Sequence, residues 1–335
     1  MFQQTMKAAV IYKAGGPDAL KLEQVPVPTP KPGNVLIKIH AFGLNRSELF
    51  TRQGHSPNVP FPRILGIELV GTVASCPGNE FQEGQVVATC MGGLGRDFDG
   101  GYAEYSSVPV GNVQVLKIEG GVESLSDGEG HEGWEVLGAC PEMLQTSYGS
   151  LFKSLRVKKG ERFLARGGTT SVGLAAASIA KNQGAWVASS TRRKDREQML
   201  LDAGADEVLI DDGNVSKVVK EKYDKVLELI GTTTLNDSLQ CVKEGGSVCM
   251  VGMVGGKWEM DKFSPMGSIP TAVNLTTYAG GPEDFMATPL NELVGQIKEG
   301  KLKIKIGKVF KLDQIVEAHK VMEENSAGGK IVVLT

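Results

Sequence analysis

Apolar positions in this chain change their spacing about halfway along. In the first part the apolar runs are short and β-branched: residues 7–12 and 35–41 read as strands, separated by a proline-rich stretch at 26–32 that breaks regular pairing. Glycines recur between Gly66 and Gly101, as tight turns between short strands require. Residues 119–133 are rich in Gly, Ser, Asp and Glu and read as an exposed loop. From Glu161 the texture alternates. Apolar strands at 163–165, 186–189, 208–210, 226–229 and 248–251 are separated by helical spacing: Val172, Ala176, Ile179 and Ala180 share one face, and Met199, Leu200 and Ala203 another before a stop at Gly204. This alternation predicts an α/β architecture, a parallel sheet covered on both faces, preceded by an irregular, mostly β domain. Beyond Asn274, residues 290–297 and 312–324 have helical spacing and 330–334 reads as a strand. Whether that tail completes the first domain is open on pattern alone.

Size and composition agree with two domains. The 335 residues exceed what one core comfortably serves, and 41% hydrophobic with 22% charged residues is ordinary globular composition. A net charge of −3 lacks the basic excess that a nucleic-acid partner demands. The five cysteines are odd in number and form no CxxC pair, which argues against a disulfide framework and a four-cysteine zinc lobe and suits a reducing cytosol. No apolar run approaches the roughly 20 residues of a membrane span, and residues 1–7 lead towards a strand without a signal-peptide core. The expectation is a cytoplasmic protein with no membrane or nucleic-acid partner.

The candidate chemistry begins where the first alternating strand ends. Arg166 is followed by Gly167, Gly168, Thr169, Thr170, Ser171, Val172 and Gly173, a turn that leads into a helix. Such a turn offers backbone N–H groups and a helix N-terminus to a pyrophosphate. Thr170 and Ser171 replace glycines of the usual pattern, and their hydroxyls could add hydrogen bonds to phosphate. At the end of the next strand stand Ser190, Thr191, Arg192 and Arg193, with Arg196 one turn later and no carboxylate before Asp195. Guanidinium groups there suit the 2′-phosphate of NADPH, whereas NAD needs an acidic acceptor for its ribose hydroxyls. An ordinary tight turn and a solvated basic helix start are the alternatives. The junctions at Ile230 and at Gly252 and Met253 either hold the nicotinamide carboxamide through backbone groups or serve as plain turns.

Several segments together resemble the medium-chain dehydrogenase/reductase superfamily, and within it the zinc-free quinone oxidoreductase, zeta-crystallin-like branch. They are the opening Met6-Lys7-Ala8-Ala9-Val10, the run Gly43-Leu44-Asn45-Arg46-Ser47-Glu48, Gly66-Ile67-Glu68, Pro141-Glu142 through Thr146 to Gly149, the cofactor turn, and Gly328-Gly329-Lys330-Ile331-Val332. The resemblance implies a GroES-like catalytic domain from residues 1–142 and 276–335 enclosing a doubly wound Rossmann domain at 143–275, commonly as a homodimer. In zinc-containing relatives Asn45 would be a cysteine ligand and Ile67 a histidine ligand, so the resemblance implies no metal site. It assigns catalytic positions to Asn45 and Glu48, with Glu in place of the usual Asp, and adds Thr146 to the cofactor contacts; Lys330 is counted with them, and Tyr278 either faces the cleft as a cofactor contact or packs near the domain boundary. Asp211 stands where some relatives have a tyrosine beside the 2′-phosphate, and Phe50 and Ser56 also replace tyrosines. The implied activity is hydride transfer from NADPH to a quinone or an α,β-unsaturated carbonyl compound. Enoyl reduction of a pathway intermediate and a non-catalytic NADPH-binding protein are the other readings.

Overall fold

In the computed structural model, which describes residues 4–335, the chain forms two compact units. The first comprises Met1–Glu142, Gly281–Lys298 and Lys305–Thr335, and the second Met143–Gly280 with Glu299–Ile304.

The first unit holds strands β1 (Thr5–Ile11), β2 (Leu20–Pro26), β3 (Asn34–Gly43), β4 (Arg63–Ile64), β5 (Glu68–Ser75), β6 (Val86–Cys90), β7 (Tyr105–Pro109) and β8 (Gln114–Val115). β1 lies between β2 and β4 in a small antiparallel sheet. β3 is the organising strand of a larger one. Val35, Ile37 and Ile39 are buried on one of its faces, while on the other Leu36 and Phe42 are buried and only Lys38 is exposed. It pairs antiparallel with β5 and β7 and with the C-terminal strand (Lys330–Leu334). The tail therefore completes the sheet that the amino-terminal part begins. Helix Ile315–Glu323 packs Ile315, Ala318, Val321 and Met322 into the same core. A short helix that apolar spacing does not announce, Arg46–Arg52, follows β3. It is tied down by Arg52, fully buried, which donates to Gly15 O, to His319 Nδ1 and to Glu323.

The second unit adds β9 (Arg162–Arg166), β10 (Trp186–Thr191), β11 (Glu207–Ile210), β12 (Tyr223–Glu228), β13 (Val242–Met250) and β14 (Asn274–Thr277). They form one all-parallel sheet in the order β11-β10-β9-β12-β13-β14, the Rossmann order, with its switch point between β9 and β12. One face is covered by a cluster around Leu164, Val226, Leu235, Leu239 and Val248, and Leu174, Leu200 and Ala203 cluster separately. Cys249 is fully buried in β13, as its apolar run leads one to expect.

Two expectations are corrected. β14 belongs to the parallel sheet, so the chain returns to the first unit at Gly281 rather than at 276. Residues 299–304 also belong to the second unit, where Asn182 Nδ2 donates to Lys301 O and Lys303 N to Ser178 Oγ. Segment 119–133 is largely exposed and without a strand or an α-helix, as its composition leads one to expect, and it is held at Asp127. Asp127, 8% exposed, accepts from the N–H groups of Glu129 and His131.

Candidate active site

The dinucleotide turn lies at the carboxyl end of β9, beside the switch point. Gly167 has φ +84, a conformation that L side chains rarely adopt. A Cβ at Gly173 would lie 2.7 Å from Gly167 O, so only glycine lets the helix Ser171–Asn182 start this close to the turn. Thr170 caps that helix. Its hydroxyl donates to Gly167 O at 2.9 Å and accepts from Gly173 N at 3.0 Å, so it holds the turn and is not spare for phosphate as its position suggests. The N–H groups of Thr169, Ser171 and Val172 have no internal acceptor among the described residues and remain for an anion. Ser147 Oγ, on helix Pro141–Gly149, donates to Met143 O at 2.7 Å and lies 3.1 Å from Val172 O, and its neighbour Thr146 is half-buried.

At the end of β10 the polar residues divide by direction. Ser190 is buried and accepts from Gly167 N while donating to Asp211. Thr191 accepts from Arg193 N, and Arg193 pairs on the surface with Asp195. Arg192 is exposed and Arg196 half-buried, and neither has an ion pair among the described residues. Of the residues expected to hold a 2′-phosphate, these two are uncommitted. Asp211 points inward. Both its oxygens accept from Arg166, at 2.8 and 2.9 Å, and burial, which acts to raise its pKa, is outweighed by those bonds, so it stays below the ordinary carboxylate range.

On the other side of the switch point, Glu228 Oε1 accepts from the N–H groups of Ile230 and Gly231. Ile230 N–H is thus committed, and its carbonyl accepts from Gly255. Gly252 N–H goes to Glu228 O, which leaves the N–H of Met253 as the open donor of the three. Tyr278 packs its buried ring so tightly on Gly149 that a Cβ there would lie 2.1 Å from it.

In the first unit the structure gathers Asn45 and Glu48 with three residues that the sequence left without a catalytic assignment or assigned elsewhere. Asn45 Nδ2 donates to Glu68 Oε1 at 2.9 Å and to Glu48 Oε1 at 3.4 Å, while its Oδ1 accepts from the Lys330 ammonium. Lys330 also pairs with Glu68 at 2.7 Å and lies 3.6 Å from Glu142. Burial opposes its charge, but these carboxylates outweigh it and its pKa is raised. Lys330 is therefore the cation of this cluster, 3% exposed, rather than an open cofactor contact. Glu68 Oε2 accepts from Glu142 N at 2.8 Å. Glu48, 1% exposed, accepts from Ile67 N through Oε1, while Oε2 has no partner. Burial pushes its pKa up to about 8, and the nearby Glu68 adds to the shift. The signal for Glu68 and Glu142 was present, since both lie in the segments that carry the resemblance.

Residues 31–120 match the alcohol dehydrogenase GroES-like domain family, and residues 203–333 a family described as zinc-binding dehydrogenase. The quinone oxidoreductase of Pongo abelii is 30% identical over 345 aligned residues, covering 99% of this chain and 98% of its own. The chain belongs to the medium-chain dehydrogenase/reductase superfamily, in its quinone oxidoreductase branch. An acryloyl-coenzyme A reductase of Sulfurisphaera tokodaii is 26% identical over 98% of this chain and 99% of its own. Among solved structures, AibC superposes with a TM-score of 0.85 at 26% identity, covering 99% of this chain and 96% of that one. The medium-chain reductase is thus an oxidoreductase of a small-molecule substrate with a nicotinamide cofactor. Among the described residues no helix is long and apolar enough to cross a membrane.

Proposed function

We propose that this medium-chain reductase uses NADPH, without zinc, to reduce a quinone or an α,β-unsaturated carbonyl acceptor. The observation that carries the reading is the end of β10 and β11, where Arg192 and Arg196 are uncommitted while the neighbouring carboxylate of Asp211 is turned in and neutralised. A dianionic 2′-phosphate gains charge-assisted hydrogen bonds there, and a ribose diol finds no acidic acceptor. When bound, the dinucleotide supplies the hydride. The turn and helix N-terminus hold its pyrophosphate, with the N–H groups of Ser171 and Val172 as donors.

The zinc named in the matched family's description finds a poor donor set here. Ile67 has no donor atom, the Asn45 amide is fully committed, and Glu68 already carries an ammonium. Quinones and enones are activated by their own conjugation, so orientation and a few hydrogen bonds suffice in place of a Lewis acid. Asn45 and Glu48 act in this reading as positioning residues that fix Ile67 and Lys330, because both are buried and bonded among themselves. Product protonation is left to solvent. The similarity to an acryloyl-coenzyme A reductase supports including enones among the acceptors. Assembly as a homodimer and residence in the cytoplasm are part of the proposal.

The test is NADPH consumption, followed by absorbance, against a panel of quinones and enones with and without a chelator. Turnover that is unchanged by chelator and favours NADPH over NADH is expected. Preference for NADH, or activity lost on chelation and restored by zinc, refutes the reading. Tight NADPH binding with no turnover across the panel would make the chain a binding protein instead.

A further inference from the structure

Beneath the dinucleotide turn lies a charge cluster that the reaction itself does not use. Arg166, the last residue of β9, is fully buried. Its Nε and Nη2 grip Asp211 at 2.8 and 2.9 Å, and its Nη1 donates to Thr234 O and Ser238 Oγ, both at 3.0 Å, and lies 2.8 Å from Asp237 Oδ2. Glu228 stands 4.0 Å from Nε. One guanidinium thus joins the ends of β9, β11 and β12 to helix Leu235–Gln240.

Asp211 is the partner that matters for the cofactor. Its N–H donates to Thr191 O, the residue before Arg192, and Ser190 Oγ donates to its Oδ2. Its Oδ1 also accepts from Gly213 N. The carboxylate therefore sits directly against the segment that carries the uncommitted arginines, with both oxygens saturated and aimed inward. Released from Arg166, the same carboxylate would keep only Ser190 Oγ and Gly213 N as donors, and its charge, no longer balanced, would repel a phosphate bound at the Arg192 segment and favour a ribose hydroxyl there.

We infer that Arg166 is a further determinant of cofactor preference in this chain beside Arg192 and Arg196, by holding the Asp211 carboxylate inward and paired. It acts through Asp211 and is a positioning residue, not a ligand of the dinucleotide. The inference rests on the NADPH reading above.

The experiment titrates the full chain, by calorimetry, with adenosine 2′,5′-bisphosphate and with adenosine 5′-monophosphate. Four proteins are compared: wild type, Arg166→Lys, Asp211→Asn and the double variant. Lysine keeps the buried charge but lacks the planar fork that holds both Asp211 oxygens while satisfying Thr234, Ser238 and Asp237. In Arg166→Lys the preference for the bisphosphate should fall at least about tenfold, the scale of a like-charge contact. Adding Asp211→Asn should restore it. Equal weakening of both ligands in Arg166→Lys, or no restoration in the double variant, overturns the inference, since a merely structural role lowers both affinities alike. If Arg166→Lys does not fold, Asp211→Asn alone decides: a preference at or above wild type supports the inference, and a fall overturns it. A wild type that favours the monophosphate refutes the NADPH reading instead, while the shift between variants still tests Arg166.

Discussion

Replacing Glu48 by Gln should change how stability depends on pH, and the size of that change follows from the site. Glu48 is buried, shares its environment with Glu68, and has its pKa pushed from 4.5 up to about 8. A raised folded-state pKa means that the native protein holds this proton more tightly than the unfolded chain does. Its contribution to stability is complete below about pH 4.5 and is lost as pH rises through about 8. At roughly 1.4 kcal/mol per pKa unit the loss across that window is about 5 kcal/mol. Gln keeps the Oε1 acceptor for Ile67 N and carries no titrating proton. Its amide places a donor where Oε2 has no partner, which adds a pH-independent cost of about 1–3 kcal/mol. Urea unfolding of wild type and Glu48→Gln between pH 5 and pH 9 separates the two effects. Wild type should be the more stable at pH 5, and the difference should shrink and reverse towards pH 9. A difference that stays constant over this range would refute the raised pKa of Glu48.

Replacing both Arg192 and Arg196 by Ala should weaken NADPH binding by at least about 100-fold, at roughly 1.5–3 kcal/mol per charge-assisted bond, and leave NADH binding nearly unchanged; paired fluorescence titrations check it. Gly173→Ala puts a methyl 2.7 Å from Gly167 O, so the turn must open; binding of either dinucleotide should be lost at a stability cost of about 1–3 kcal/mol in thermal melts. Thr170→Ala removes the helix cap and should cost about 1 kcal/mol in the same melts, with a smaller loss of affinity than Gly173→Ala.

Much of this architecture was readable from spacing alone. Period-2 and period-3.6 patterns express local backbone geometry, so the alternation after Glu161 specified a parallel sheet, and the turn after Arg166 marked the site proposed for the dinucleotide. The side chains at 45 and 67 likewise carry the proposal of a zinc-free site, through the resemblance that sets a cysteine and a histidine there in zinc-containing relatives and because an isoleucine lacks a donor atom in any fold. The direction in which charged side chains face was not readable, since it depends on partners brought together by strand register. Lys330 meets Asn45 across 285 positions because the C-terminal strand pairs with β3, which makes a nominal cofactor contact into a buried counter-ion. Asp211 reads as an acid beside the proposed 2′-phosphate site until β9 and β11 place Arg166 behind it, 45 residues away in sequence. Local pattern determined the elements and the turn; long-range pairing alone decided which charges are spent inside the protein and which remain for a ligand.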